Sequence, residues 1–328
     1  TLSADKKHVQ TIVKEFGLTE GSRGITVLAD SEAITKEEDE ELLEGGEVTR
    51  FRALAARGNY LGQDRCDIQY ATKEICRHMA KPTKGSMLRV KRLARYLLEI
   101  PEGVLRFDSS STKLDKVLVY VDADWAGCKT TRKSTSGGAV AWGGGLLKSW
   151  SKTQGTVALS SGEAEFYAAI KGCAEGIGIK SLLSDLGVEV KIEVVQDSTA
   201  AKGTATQIGI GKIKHLDTGW LWIQDVVRVG LITLKKVCGK VNPADLLTKP
   251  KSAAEAARLA EALGYELITR KGRAADGEGV TGWVRRMMKG DRRTEAEKME
   301  TLVWWIEKAS CERGTGGTRS MVGKIAVT

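Results

Sequence analysis

The chain has 328 residues, 41% hydrophobic and 28% charged, with 51 Lys and Arg against 42 Asp and Glu, a formal net charge of +9. This length suits two domains, or one domain with extensions, and the apolar share is enough for a packed core. Six cysteines without C-x-x-C pairing and only three histidines exclude zinc-ligand spacing and point to reduced thiols in an intracellular protein, while the positive balance favours an acidic partner, most simply nucleic acid.

No apolar run approaches the roughly 20 residues needed to span a bilayer. The start, "TLSADKKHVQ", has neither an initiating Met nor the apolar stretch of a signal peptide, so the chain reads as a piece of something longer. In "DKKHVQTIVKEFGL", Val9, Ile12, Val13 and Phe16 recur at helical spacing. The acidic "EAITKEEDEELLEGGE" reads as a solvated helix or loop. From Thr49 to Ile100 the pattern predicts two or three amphipathic helices broken at Gly58 and Pro82. The last carries Arg89, Lys91, Arg92 and Arg95 beside an apolar stripe of Val90, Leu93, Leu97 and Leu98. The polar "DSSSTKLDK" marks a domain boundary.

From Lys116 to Pro250 strands alternate with helices. "KVLVYVDA" reads as a central strand covered on both faces, and "GGAVAWG" and "LLKSWSK" as a hairpin around Gly143–Gly145. A long helix from Ser160 to about Leu186 follows, then the strand "KIEVVQDS", a short helix, a helix over "KIKHLDTGWLWIQDVVRVG" and the strand "LITLKKVCG". A last helix opens at "NPADLLTK", with Asn242 as cap and Pro243 in the first position. This order gives an α/β layer fold with a mixed sheet. Beyond Lys251 come an Ala-rich helix, a Gly- and Arg-containing stretch and the amphipathic "EAEKMETLVWWIEKA".

Carboxylates in four places stand out. In "VLVYVDADWAG", Asp122 and Asp124 share one side of an extended chain at the mouth of an apolar strand; a cap or turn role is the structural alternative. In "SSGEAEFYAAIKGCAEG", Glu163 and Glu165 lie about 200° apart on a helix. Ser160 and Glu163 fit a capping box, whereas Glu165 shares a stripe with Ala168, Ala169, Gly172 and Gly176, small residues that let a helix lie close to a sheet. Asp197 closes "IEVVQD", where it also suits an N-cap, and Asp245 sits in the first turn after "NPA", where the helix dipole alone would justify an acid. Ligands gather at the carboxyl ends of strands in open α/β sheets. Acids converging there repel unless cations lie between them, and oxygen donors suit Mg²⁺.

"YVDADWAGCKTTRKSTSGGAVAWGGGLLKSWSKTQGTVALSSGEAEFYAA", "VVQDSTAA", "KHLDTGWLWIQD" and "NPADLLTKP", in this order, resemble the ribonuclease H domain of Ty1/copia-type retrotransposon Pol polyproteins. "GNYLGQDRCDIQYATKEICRHMAKPT" and "KRLARYLLEIPEG" resemble the end of the preceding reverse transcriptase, with Cys66 where that family usually has proline. The resemblance implies a ribonuclease H-like mixed five-stranded sheet flanked by helices at 116–250. Before it come a mainly helical thumb- or connection-like remnant at 1–108 and a linker at 109–115; a partly helical tail follows at 251–328. It implies a nuclease that uses two Mg²⁺ ions, with Mn²⁺ as a substitute, to cut RNA in RNA–DNA hybrids, leaving 5′-phosphate and 3′-hydroxyl ends. Asp122, Glu165, Asp197 and Asp245 fill its catalytic and metal positions, and Asp124 is left as a neighbour. The resemblance further implies the hybrid and the other Pol segments as partners, with no membrane, and an intracellular place in the cytoplasm or nucleus, or in virus-like particles.

Phosphate contacts are expected from Lys129, Arg132, Lys133 and Ser134 in "KTTRKSTSGG", for which a solvated loop is the alternative, and from Lys81–Arg95. Trp125, Trp142 and Trp150 read as core or sheet-covering residues, and His215 as structural. The loop "CGKVNP" lacks the histidine of cellular ribonucleases H, which implies slower turnover, and no Tyr-x-Asp-Asp polymerase motif is present. A catalytically inactive nucleic-acid-binding fragment is the alternative function. The acid order Asp–Glu–Asp–Asp differs from the Asp–Asp–Glu of integrase-class strand transferases.

Overall fold

A computed structural model describes residues 1–28, 34–107, 114–209, 215 and 218–272. Most of the expected linker at 109–115, the start of the helix expected from Lys212, and the amphipathic stretch at 295–309 lie outside the described residues.

The first part contains β1 (Leu2–Ser3), α1 (Lys6–Glu15), α2 (Lys36–Glu40), α3 (Gly46–Leu61), α4 (Gln69–Cys76), α5 (Lys84–Glu99) and β2 (Glu102–Leu105). Asp5 caps α1 by accepting from Lys7 N at 2.8 Å, and Val9, Ile12 and Val13 are buried as their spacing predicts. The acidic α2 buries no residue and is closed by a reciprocal capping box between Thr35 and Glu38. Gly58 does not break its helix: α3 runs on to Leu61, and Gly58 is buried where a Cβ would stand 3.2 Å from Leu93 Cδ2. Its bare backbone lets α3 lie close to α5, so the glycine signals packing, not a turn. The arginines expected to face a substrate from α5 are half-buried and bond to the protein itself. Arg89 pairs with Asp39, Arg92 Nη2 donates to Val27 O at 3.1 Å and Arg95 Nε to Arg23 O at 3.0 Å.

The second part holds β3 (Lys116–Asp124), β4 (Thr135–Trp142), β5 (Gly145–Thr153), α6 (Ser161–Asp185), β6 (Lys191–Gln196), α7 (Thr199–Thr206), α8 (Trp222–Arg228) and β7 (Ile232–Lys236). The strands form a five-stranded sheet in the order β5-β4-β3-β6-β7, with β3 in the middle. β3–β4 and β4–β5 are antiparallel, β3–β6 and β6–β7 parallel, which is the mixed sheet expected. The β4–β5 hairpin turns on Gly143 and Gly144, both left-handed with φ of 57° and 78°, as a tight two-residue turn requires. In "NPADLLTK" the cap and the proline are where the pattern put them, but Pro243–Leu247 is a 3-10 helix. Of the helix expected over "KIKHLDTGWLWIQDVVRVG", the described part is a 3-10 turn at Thr218–Leu221 followed by α8.

α6 covers one face of the sheet with its small-residue stripe. A side chain at Gly172 would collide with Val121, and a Cβ at Gly176 would stand 2.9 Å from Ile192 Cγ2. The other face is covered by the first part: Gln69 Nε2 donates to Ser149 O at 3.2 Å and Lys73 Nζ to Thr135 Oγ1 at 2.8 Å. Ala139, Leu146, Leu246 and Leu247 belong to the same apolar cluster as Phe51, Leu93 and Leu97. After the sheet come α9 (Ala253–Glu261), the expected Ala-rich helix, and β8 (Tyr265–Ile268), which the pattern did not reveal. β8 pairs antiparallel with β2, itself paired with β1, so the chain returns to its own first part in a three-stranded sheet.

Candidate metal centre

β3 and β6 are parallel, with Tyr120 opposite Val195, so Asp122 and Asp197, each two residues further on, emerge side by side. The first turns of α6 lie over these strand ends and lower Glu165 between them. Oxygens of Asp122, Glu165 and Asp197 lie within 4.8 Å of one another. Asp122 and Glu165 are buried, at 3% and 8% exposure, and Asp197 is half-buried. Glu165 Oε1 accepts from Ala123 N at 3.1 Å, while Oε2 is buried without a hydrogen-bond partner. Thr248 Oγ1 donates to Asp122 Oδ2.

Burial, then the neighbouring Asp122 and Asp197, pushes the Glu165 carboxyl up to about 9; burial, then the charge of Asp245, pushes Asp122 up to about 6. Burial and Asp245 also raise Asp197. On its open side Asp197 meets the loop after β7, where a Cβ at Gly239 would stand 2.5 Å from Oδ2.

Asp245 is beside this group but not of it. The 3-10 segment that carries it is pinned to β3 by Asn242, whose Nδ2 donates to Val121 O at 2.8 Å while its Oδ1 accepts from Ala244 N. Its carboxylate is held by Lys249 Nζ, 2.6 Å from Oδ1, and by Lys251 on Oδ2. Asp124 is half-buried, turned back over Gly127, and outside the three-acid group.

Ser160 Oγ accepts from Glu163 N as a cap should, but Glu163 does not return the bond to Ser160 N. Its Oε2 accepts from Leu159 N at 2.9 Å and pairs with His215 Nε2 at 3.0 Å, and Oε1 accepts from Tyr167 Oη. Glu163 thus ties the start of α6 to His215.

In the β3–β4 loop Lys129 and Arg132 are exposed and Lys133 half-buried, but Ser134 is fully buried with its Oγ accepting from Ala126 N at 3.1 Å. The expected phosphate contact from Ser134 is corrected on this ground: its hydroxyl shapes the loop from inside. Trp125, expected in the core or covering the sheet, is 48% exposed, its Nε1 donating to Ala158 O. Trp150 is buried and Trp142 half-buried, both on the sheet. The residues that pattern reading missed are Thr248 and Lys249; the only sign of them was a polar pair directly after the apolar Leu246–Leu247.

No protein-family model matches the chain. It is 29% identical over 252 residues to the retrovirus-related Pol polyprotein from transposon TNT 1-94 of Nicotiana tabacum, over 75% of this chain and 19% of that protein. It is 30% identical over 223 residues to the corresponding polyprotein from transposon RE1 of Arabidopsis thaliana, over 67% of this chain and 15% of that protein. The chain therefore spans a fifth or less of the length of these relatives. Among solved structures, LC11-RNase H1 isolated from compost aligns at 20% identity over 41% of this chain and 93% of that chain, with a TM-score of 0.33. No helix among the described residues is long and apolar enough to cross a membrane. With about 30% identity sustained over two thirds to three quarters of its length, the chain belongs to the family of Ty1/copia-type retrotransposon Pol polyproteins.

Proposed function

We propose that the chain is a retrotransposon ribonuclease H that hydrolyses the RNA strand of RNA–DNA hybrids. One observation carries this reading: three carboxylates from β3, α6 and the end of β6 meet within 4.8 Å, one with a buried oxygen that nothing satisfies. Buried acids in such contact are costly unless cations neutralise them. An all-oxygen donor set fits Mg²⁺, with Mn²⁺ as a substitute. Asp122, Glu165 and Asp197 would hold the metal, with Asp245 as the fourth acid. Two such ions, when bound, supply an activated water and stabilise the departing 3′-oxygen of a phosphodiester.

The remaining work belongs to the chain's own residues. Ala123 N and Thr248 Oγ1 fix one oxygen each of Glu165 and Asp122, so these acids are oriented before any ligand arrives. Lys129, Arg132 and Lys133 of the β3–β4 loop would contact the phosphate backbone in this reading, a role that needs no base reading. The other segments of the parent polyprotein are the protein partners in this reading.

The test is cleavage of an end-labelled RNA–DNA hybrid with Mg²⁺, beside single-stranded RNA and duplex DNA. Hybrid-specific cleavage is expected, reduced at least about 10²-fold in Asp122→Asn and Glu165→Gln. Undiminished activity in these variants would reject the site, and no cleavage at any enzyme concentration would reject the function. Preference for duplex DNA would replace the substrate.

A further inference from the structure

Lys249 follows the 3-10 segment of Asp245 and turns its ammonium back into the acids. It stands 2.6 Å from Asp245 Oδ1, and Lys251 closes the other oxygen. Its charge also reaches Asp122, Asp124, Glu165 and Asp197, whose carboxyls it pulls down against the effect of burial. Asp245 therefore has two ammonium partners, while Glu165, nine-tenths buried, keeps an oxygen with none. The lysines differ in freedom: the side chain of Lys249 is 43% exposed and that of Lys251 only 11%. A lysine ammonium is a point charge on a flexible stem, with solvent on one side here, so it can leave an ion pair and return.

We propose that Lys249 is a resident counter-ion that competes with divalent metal for Asp245. The group Asp122, Glu165 and Asp197 then fills first, and a second ion that needs Asp245 enters only as the ammonium moves aside. Lys249 is on this view a positioning residue that acts through Asp245 and sets the order and relative strength of metal binding. The inference rests on the reading of these acids as metal ligands.

The test is titration of the full chain with Mn²⁺ alone, free Mn²⁺ being read by electron paramagnetic resonance. The wild type should bind one ion tightly and a second more weakly. Lys249→Met should tighten the weaker site at least about tenfold and the tight one clearly less, since the ammonium pairs directly with Asp245 and only its field reaches the other acids. Adding Asp245→Asn to Lys249→Met should remove the gain. Lys249→Arg, whose planar fork grips a carboxylate more firmly, should weaken the second site below that of the wild type. A second site unchanged or weakened in Lys249→Met, or both sites tightened equally, would overturn the proposal while leaving the metal reading intact. No Mn²⁺ binding by the wild type would overturn that reading and this inference with it.

Discussion

Glu165 lies one turn into α6 with one oxygen on Ala123 N and the other on nothing, and its carboxyl is pushed up to about 9 from an ordinary 4.5. Between these values the metal-free folded chain holds a proton that the unfolded chain gives up. Stability therefore falls as pH rises from about 4.5 towards 9, and Asp122, raised from 3.8 to about 6, adds to the loss at the acid end of the window. Glu165→Gln removes the larger contribution. Without divalent ions at pH 8, this variant should be more stable than the wild type by about 2 kcal/mol, read from urea unfolding, and flatter in its pH dependence. A variant no more stable than the wild type at pH 8 would mean that the acid is not held under electrostatic stress. Asp122, Glu165 and Asp197 were legible because each breaks a local rule: a charge at the mouth of an apolar strand, or on a small-residue face. Thr248 and Lys249 break none. Thr248 matters through a contact with β3 more than 120 residues away, which no local pattern encodes, and Lys249 through an ion pair with Asp245 four residues back, whose place beside the acids only the fold decides.

The helix α6 sets the height of Glu165 above the sheet, and glycine sets the height of α6. At Gly172 an added methyl would meet Val121, a fully buried branched side chain on the strand that carries Asp122. Gly172→Ala should therefore cost about 1–3 kcal/mol through overpacking and weaken Mn²⁺ binding by lifting Glu165 from its partners. Gly178, two turns nearer the helix end, is exposed with nothing within 4 Å of an added Cβ. Gly178→Ala should stabilise the chain by about 0.5–1 kcal/mol and leave metal binding unchanged. Paired thermal melts and Mn²⁺ titrations check both, and equal effects at the two glycines would show that helix propensity, not contact with the sheet, governs α6. The stripe that makes this argument was plain in the sequence, as were the apolar strands and the Gly-rich hairpin, because each has a local period or turn rule. β8 was not. It is four residues long, follows a helix closely, and owes its strand form to β2, some 160 residues earlier. The break expected at Gly58 failed for a related reason: glycine serves close packing as well as turns, and only the neighbouring α5 decides which.

The first part of the chain and its return through β8 form a lid over the sheet face that α6 leaves open. The lid has its own polar anchor. Arg65 is wholly buried, with Nε 2.9 Å and Nη2 2.7 Å from the two oxygens of Asp67, and Nη2 also donates to Ile100 O. Tyr96 Oη donates to Asp67 Oδ2 at 2.8 Å, and Tyr265 Oη reaches Asp64 O, so β8 is tied into the same knot. Removing one member of a buried ion pair leaves the other charged and without compensation, at a cost of about 3–5 kcal/mol. Asp67→Ala should destabilise the lid by that amount. Because Ala139, Leu146 and Leu247 of the sheet side share the lid's apolar cluster, the loss should reach the sheet as well. All eight tryptophans follow residue 124, so their fluorescence is blind to the lid itself and reports on the chain beyond it. In urea, the fluorescence midpoint of Asp67→Ala should fall together with the midpoint from far-ultraviolet circular dichroism, in a single transition. A fluorescence midpoint unmoved by Asp67→Ala, with a separate earlier loss of helix signal, would mean that the sheet holds its own core and the lid only rests on it.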